Sequence, residues 1–109
     1  LILLHGELGA GKTTFVRGAL AELGVTEGVR SPTFNLLQVF ETNPPVLHAD
    51  LYRVKSAFGI GIEDYLETHL CFIEWPENGA YLLDGLPAWN IRITAQSEGR
   101  LVQIDPPTH

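Results

Sequence analysis

The stretch His5-Gly-Glu-Leu-Gly-Ala-Gly-Lys-Thr-Thr-Phe15 constrains this chain more than any other segment. Gly6, Gly11, Lys12 and Thr13 fit G-x-x-x-x-G-K-[ST] in full. Glycines let a backbone turn tightly enough for several N–H groups to point at one anion. A helix that starts directly afterwards adds its positive end and its unpaired N–H groups. Lys12 supplies a mobile positive charge, and the Thr13 hydroxyl is a hard oxygen ligand suited to Mg²⁺. The flanks agree with this reading. Leu1 to His5 reads as a short buried strand, Gly6 to Gly11 as a loop, and Thr13 to Leu23 as a helix stopped by Gly24. The helix places Phe15, Val16, Ala19, Leu20 and Leu23 on one side. The ligand expected of such a loop is a nucleoside triphosphate.

Further strands are expected between Val29 and Phe40, at Val46 to Tyr52 with its end near Asp50, and at Leu70 to Trp75 with its end at Glu74. Asn43-Pro44-Pro45 marks a turn, and Val54 to Gly61 reads as loop. Ile62 to His69 reads as a short helix, and Trp75 to Gly79 as a turn. Ala88 to Ala95 and Arg100 to Ile104 alternate as two strands joined around Ser97-Glu98-Gly99. Apolar runs early and a hairpin late predict an α/β fold of three layers of the P-loop NTPase type. Its sheet is expected to be mainly parallel with an antiparallel edge hairpin. The 109 residues suffice for a single domain with one core over residues 1–109. Because a strand-like run starts at Leu1 without a lead-in or a Met, a preceding N-terminal segment is expected.

A phosphate loop needs a second acid for the metal, usually at the end of a neighbouring strand. Glu74 and Asp50 both qualify, because ligands of open α/β sheets sit at the carboxyl ends of strands. Glu74 closes the more uniformly apolar, hence more central, run. It is assigned to the metal with Thr13, and Asp50 to orienting water or supporting the site. Capping a turn is the other role open to Asp50. His48 and Asp50 share one strand face and are expected to form a hydrogen-bonded structural pair, two ligands being too few for a transition-metal site. Trp75 either fills a core edge or packs near the nucleotide. Arg100 is either solvated or stacked on a purine.

Thirteen acids against seven bases give a net charge of −6, with no basic face for binding nucleic acid directly. Any contact with RNA would therefore run through a partner. No apolar run approaches the roughly 18 residues of a membrane span. The lone Cys71 lies in an apolar run and is expected to be buried, which fits a reducing cytosol.

Several segments occur together in an order that resembles the TsaE (YjeE) family: "GELGAGKTTF", "LGV", "SPTF", "HADLYR", "GIEDYL" and "IEWPE". The resemblance runs from about Leu1 to Arg100. It implies a cytoplasmic, Mg²⁺-dependent ATPase that acts with the TsaB and TsaD proteins in forming threonylcarbamoyladenosine on tRNA, with tRNA met only indirectly. Carried over by motif, Gly9, Ala10, Gly11, Lys12, Thr13 and Thr14 would bind the ATP phosphates. Thr13 and Glu74 would hold Mg²⁺, and Arg100 would lie by the nucleotide. Thr33 would belong to a switch-like segment, and Asp50 and Trp75 would be needed for activity. An upstream segment would contribute to the nucleotide pocket, and the stretch from Val54 to Gly61 is shorter than the family's usual one.

Two other classes share the loop. A small nucleoside or nucleotide kinase needs an acceptor site and usually an arginine-bearing lid. The five arginines here, Arg17, Arg30, Arg53, Arg92 and Arg100, are scattered. A nucleotide-gated interaction module would bind without hydrolysing.

Overall fold

The computed structural model describes residues 1–26, 37–53 and 61–107. The expected Ser31 to Phe34 segment with Thr33, and most of the Val54 to Gly61 loop, lie outside them. Among the described residues six strands form one sheet in the order β2-β3-β4-β1-β5-β6. They are β1 (Ile2–His5), β2 (Leu37–Phe40), β3 (Val46–Asp50), β4 (Leu70–Glu74), β5 (Trp89–Ala95) and β6 (Arg100–Asp105). The four inner strands are parallel: β3 pairs β4, β4 pairs β1, and β1 pairs β5. The expected hairpin is present, with β6 antiparallel to β5. The opposite edge is antiparallel as well, because the chain from β2 folds straight back into β3 through Asn43-Pro44-Pro45.

Alternation along the inner strands divides the apolar side chains between two faces. On one face Leu4, Val46, Phe72, Ile91 and Ile93 pack with Val16 and Leu20 of helix α1 (Lys12–Glu22). On the other, Leu47, Ala49, Cys71 and Ile73 pack with Leu51, Ile62 and Leu83, the last on the short helix α2 (Ala80–Leu83). The sheet is thus the middle of three layers. Cys71 is a buried free thiol, as expected of a small hydrophobe in that core.

Helix α1 ends where Gly24 N–H bonds Ala21 O and Val25 N–H bonds Leu20 O, the paired closure of a glycine-terminated helix. The expected helix from Ile62 to His69 is shorter: one 3-10 turn, Ile62–Asp64, followed by non-helical turns. Only Ile62 of this turn is buried, so little packing extends it. The expected turn at Trp75 to Gly79 is a 3-10 helix, Pro76–Gly79, that runs into α2. Among the described residues no helix is long and apolar enough to cross a membrane.

Candidate functional site

The C-terminal ends of β1, β3 and β4 meet beside the loop Gly6–Gly11. Gly6 passes so close to β5 that a Cβ there would lie 2.5 Å from the Ile93 carbonyl oxygen. Only glycine fits that approach. The loop then closes with Ala10 N–H on Glu7 O at 3.0 Å. Gly11, at φ 110°, turns the chain into α1. Among the described residues no side chain caps this helix start, and its first turn carries no acid. The N–H groups at the start of α1 are therefore left for an outside anion.

Lys12 opens α1 and is almost wholly buried. Its ammonium donates to Gly6 O at 2.7 Å and sits 3.7 Å from the centre of the Trp75 ring. Burial lowers its pKa below the usual lysine range, while Glu74, Asp50, Glu77 and Glu7 oppose that shift in decreasing order. One buried cation thus feels four carboxylates. Trp75 reaches it from a left-handed backbone conformation, φ 57° and ψ 54°, which is rare for a bulky residue. Strain of this kind, about 1–3 kcal/mol, is typical of sites where geometry outweighs local comfort. The Tyr52 ring packs on Trp75 at 4.8 Å between centroids. Asn78 donates to Leu51 O at 2.8 Å and ties the turn after β4 to the end of β3.

Glu74 closes β4 and is buried. The Thr13 hydroxyl donates to its Oε2 at 3.0 Å, and the His48 imidazole Nε2 lies 2.5 Å from the same oxygen. The expected His48–Asp50 pair is therefore replaced by His48–Glu74. Both histidine and aspartate lie on the same face of β3, but β4 brings Glu74 onto that face next to His48. Asp50 stands beside Glu74 in the strand register. Its Oδ1 accepts from Tyr52 N–H at 3.0 Å, the turn-capping contact left open by the sequence. Arg100 begins β6 and folds back over the loop, with Nε donating to Ala10 O and Nη1 to Gly99 O, both at 2.9 Å. An open cleft of about 580 Å³ lies beside the loop, lined by His5, Gly6, Tyr52, Trp75, Arg92 and Thr94 among others.

The structure thus gathers Gly9 to Thr13, Asp50, Glu74, Trp75 and Arg100 around one loop, with Thr14 on the first turn of α1. Thr33 lies outside the described residues. Two hard oxygens, the Thr13 hydroxyl and the Glu74 carboxylate, converge at the start of α1. Among the described residues no cluster of three or more His, Cys, Asp and Glu could hold a metal. That donor set fits Mg²⁺, which takes one or two protein oxygens and completes its shell with phosphate and water. Sequence reasoning missed the His48–Glu74 contact, and with it Tyr52 and Asn78 as supports of Trp75 and its turn. The usable signal for His48 was its period-2 spacing from Asp50, which sets the face but not the partner strand.

Comparison with known proteins decides the family. A family model described as threonylcarbamoyl adenosine biosynthesis protein TsaE matches residues 1–102. The chain belongs to the TsaE family. It is 43% identical to the tRNA threonylcarbamoyladenosine biosynthesis protein TsaE of Rickettsia typhi, over 76% of this chain and 61% of that protein. The TsaE protein of Treponema pallidum is 39% identical over 86% of this chain and 70% of its own length. That of Bacillus subtilis is 34% identical over 91% and 63%. Among solved structures, Bacillus subtilis YdiB superposes with a TM-score of 0.79 at 27% identity, covering 98% of this chain and 68% of that one. The chain spans about 60% of the length of the Rickettsia typhi and Bacillus subtilis relatives.

Proposed function

We propose that this chain is the ATP-binding and ATP-hydrolysing component of a cytoplasmic machinery that forms threonylcarbamoyladenosine on tRNA, its nucleotide state driving the cycle of a TsaB–TsaD transfer complex. The observation that carries the ATP reading is the meeting of Thr13 and Glu74 at 3.0 Å, at the uncapped start of α1 and beside Lys12. The tRNA role follows from the family and from what its relatives are named for.

In this reading the N–H groups from Gly9 to Thr14 cradle the β- and γ-phosphates. Lys12 leaves the Gly6 carbonyl for phosphate oxygen, exchanging a neutral acceptor for a charged one. Thr13 and Glu74 would hold Mg²⁺, which when bound neutralises charge on the phosphates. Asp50, at the neighbouring strand end, holds an acceptor oxygen where a water can be oriented. Trp75 covers Lys12 and excludes solvent from its charge. Arg100 places its guanidinium against the loop on the nucleotide side. Thr33 would sense the γ-phosphate, an order–disorder device common around that group.

A net charge of −6 does not favour direct contact with tRNA. In this reading the nucleotide state is read by partners. Phosphate release should be slow with the protein alone, faster with TsaB and TsaD, and uncoupled from them in Thr33→Ala. Rapid hydrolysis indifferent to TsaB and TsaD would overturn the role.

A further inference from the structure

His48 is fully buried in the middle of β3, yet it is polar. Burying an imidazole costs free energy unless hydrogen bonds replace those lost to water. Among the described residues its ring has a single polar partner, Oε2 of Glu74 at 2.5 Å. Its Nδ1 is buried without a partner. An aliphatic residue would pack in this core without that cost, so the feature that distinguishes histidine here is the one bond to Glu74.

The register shows how that bond arises. His48 stands opposite Phe72 and Asp50 opposite Glu74, so His48 and Glu74 are diagonal neighbours on adjacent parallel strands, on one face of the sheet. A carboxylate oxygen accepts, so the imidazole hydrogen sits on Nε2. Thr13 donates to the same Oε2. Both bonds thus fall on one oxygen and hold it in place, while Oε1 takes neither.

We propose that His48 is a positioning residue for metal binding: it anchors Oε2 of Glu74 from inside the core so that the carboxylate is presented to Mg²⁺ in one orientation. This rests on the reading of Thr13 and Glu74 as the Mg²⁺ ligands. Removing a group that orients a ligand costs about 10- to 100-fold in metal affinity. His48 is fully buried in the core, so a substitution there should leave nucleotide binding without metal unchanged.

The test compares wild type, His48→Leu, His48→Phe and His48→Gln. ADP affinity in EDTA is measured by calorimetry and serves as the check on folding; Mg²⁺ affinity of the ADP-loaded protein and kcat against Mg²⁺ concentration are then measured. Both apolar variants should keep their metal-free ADP affinity and lose about 10- to 100-fold in Mg²⁺ affinity. His48→Gln, which carries an amide N–H to nearly the same place, should recover most of it. Apolar variants with wild-type Mg²⁺ affinity would overturn the role of His48 alone. So would a loss of metal-free ADP affinity equal to the loss with Mg²⁺, which marks a merely structural residue. A wild type whose nucleotide binding ignores Mg²⁺ would overturn the metal reading beneath it.

Discussion

The Lys12 ammonium rests 3.7 Å from the centre of the Trp75 ring. A cation against an indole face is worth about 2 kcal/mol when desolvated. A phosphate that draws Lys12 away must change the surroundings of Trp75. Nucleotide should therefore shift Trp75 emission in a Trp89→Phe protein. Trp89 pairs with Ile2 at the other end of the sheet, so a Trp75→Phe protein should give little response. A silent Trp75 at saturating nucleotide would return it to a packing role.

Lys12→Ala should weaken ATP binding by about 2–4 kcal/mol, since one member of a partly desolvated charge pair is removed. Calorimetry reads this directly, and unchanged affinity would remove the phosphate-binding reading of the loop.

The same lysine sets a pH dependence. Burial lowers its pKa in the folded protein. Between that value and the ordinary lysine range the unfolded chain binds more protons, so Lys12 makes folding stability rise with pH in that window. A bound phosphate favours the charged ammonium and raises the pKa again. ATP binding should then take up a proton in the window, and affinity should fall as pH rises through it. Calorimetry in two buffers of different ionisation enthalpy measures the uptake, which Lys12→Met should abolish.

Glu74→Gln keeps size but loses charge. It should reduce Mg²⁺-dependent hydrolysis far more than metal-free nucleotide binding. Asp50→Asn retains an Oδ1 for Tyr52 N–H, so it should fold normally, hold Mg²⁺ and turn over slowly. Mg²⁺ titrations of the two variants separate the roles. Loss of Mg²⁺ binding in Asp50→Asn alone would exchange the assignments.

Much of this site was legible in the chain because its signals are local. The Gly6–Gly11 loop, the α1 stripe and its Gly24 stop depend on neighbours a few residues away. Glu74 was assigned to the end of a central strand because it closes the more uniformly apolar run, and β4 does lie inside the sheet, between β3 and β1. The misses are non-local. His48 pairs with Glu74, 26 residues away, only because β3 and β4 are neighbours in a certain register. Nor does any local pattern place Arg100 against Ala10, 90 residues distant. The 3-10 helix at Pro76–Gly79 and α2 were read as a turn or left unread because Pro76 and Gly79 are turn residues in isolation. Here Pro76 and Gly79 are buried against the rest of the chain. The antiparallel β2 edge had its turn in the sequence, but the pairing itself depends on which strand lies beside β3.

The central claim is that Lys12, Thr13 and Glu74 form one Mg²⁺–ATP centre. Phosphate release from ATP, followed for the purified wild-type, Lys12→Ala and Glu74→Gln proteins in Mg²⁺ and in EDTA, tests it most directly. Slow release by the wild type in Mg²⁺, stopped by EDTA and by either substitution, is the predicted result. Release that persists in EDTA, or that both variants retain at the wild-type rate, would contradict it.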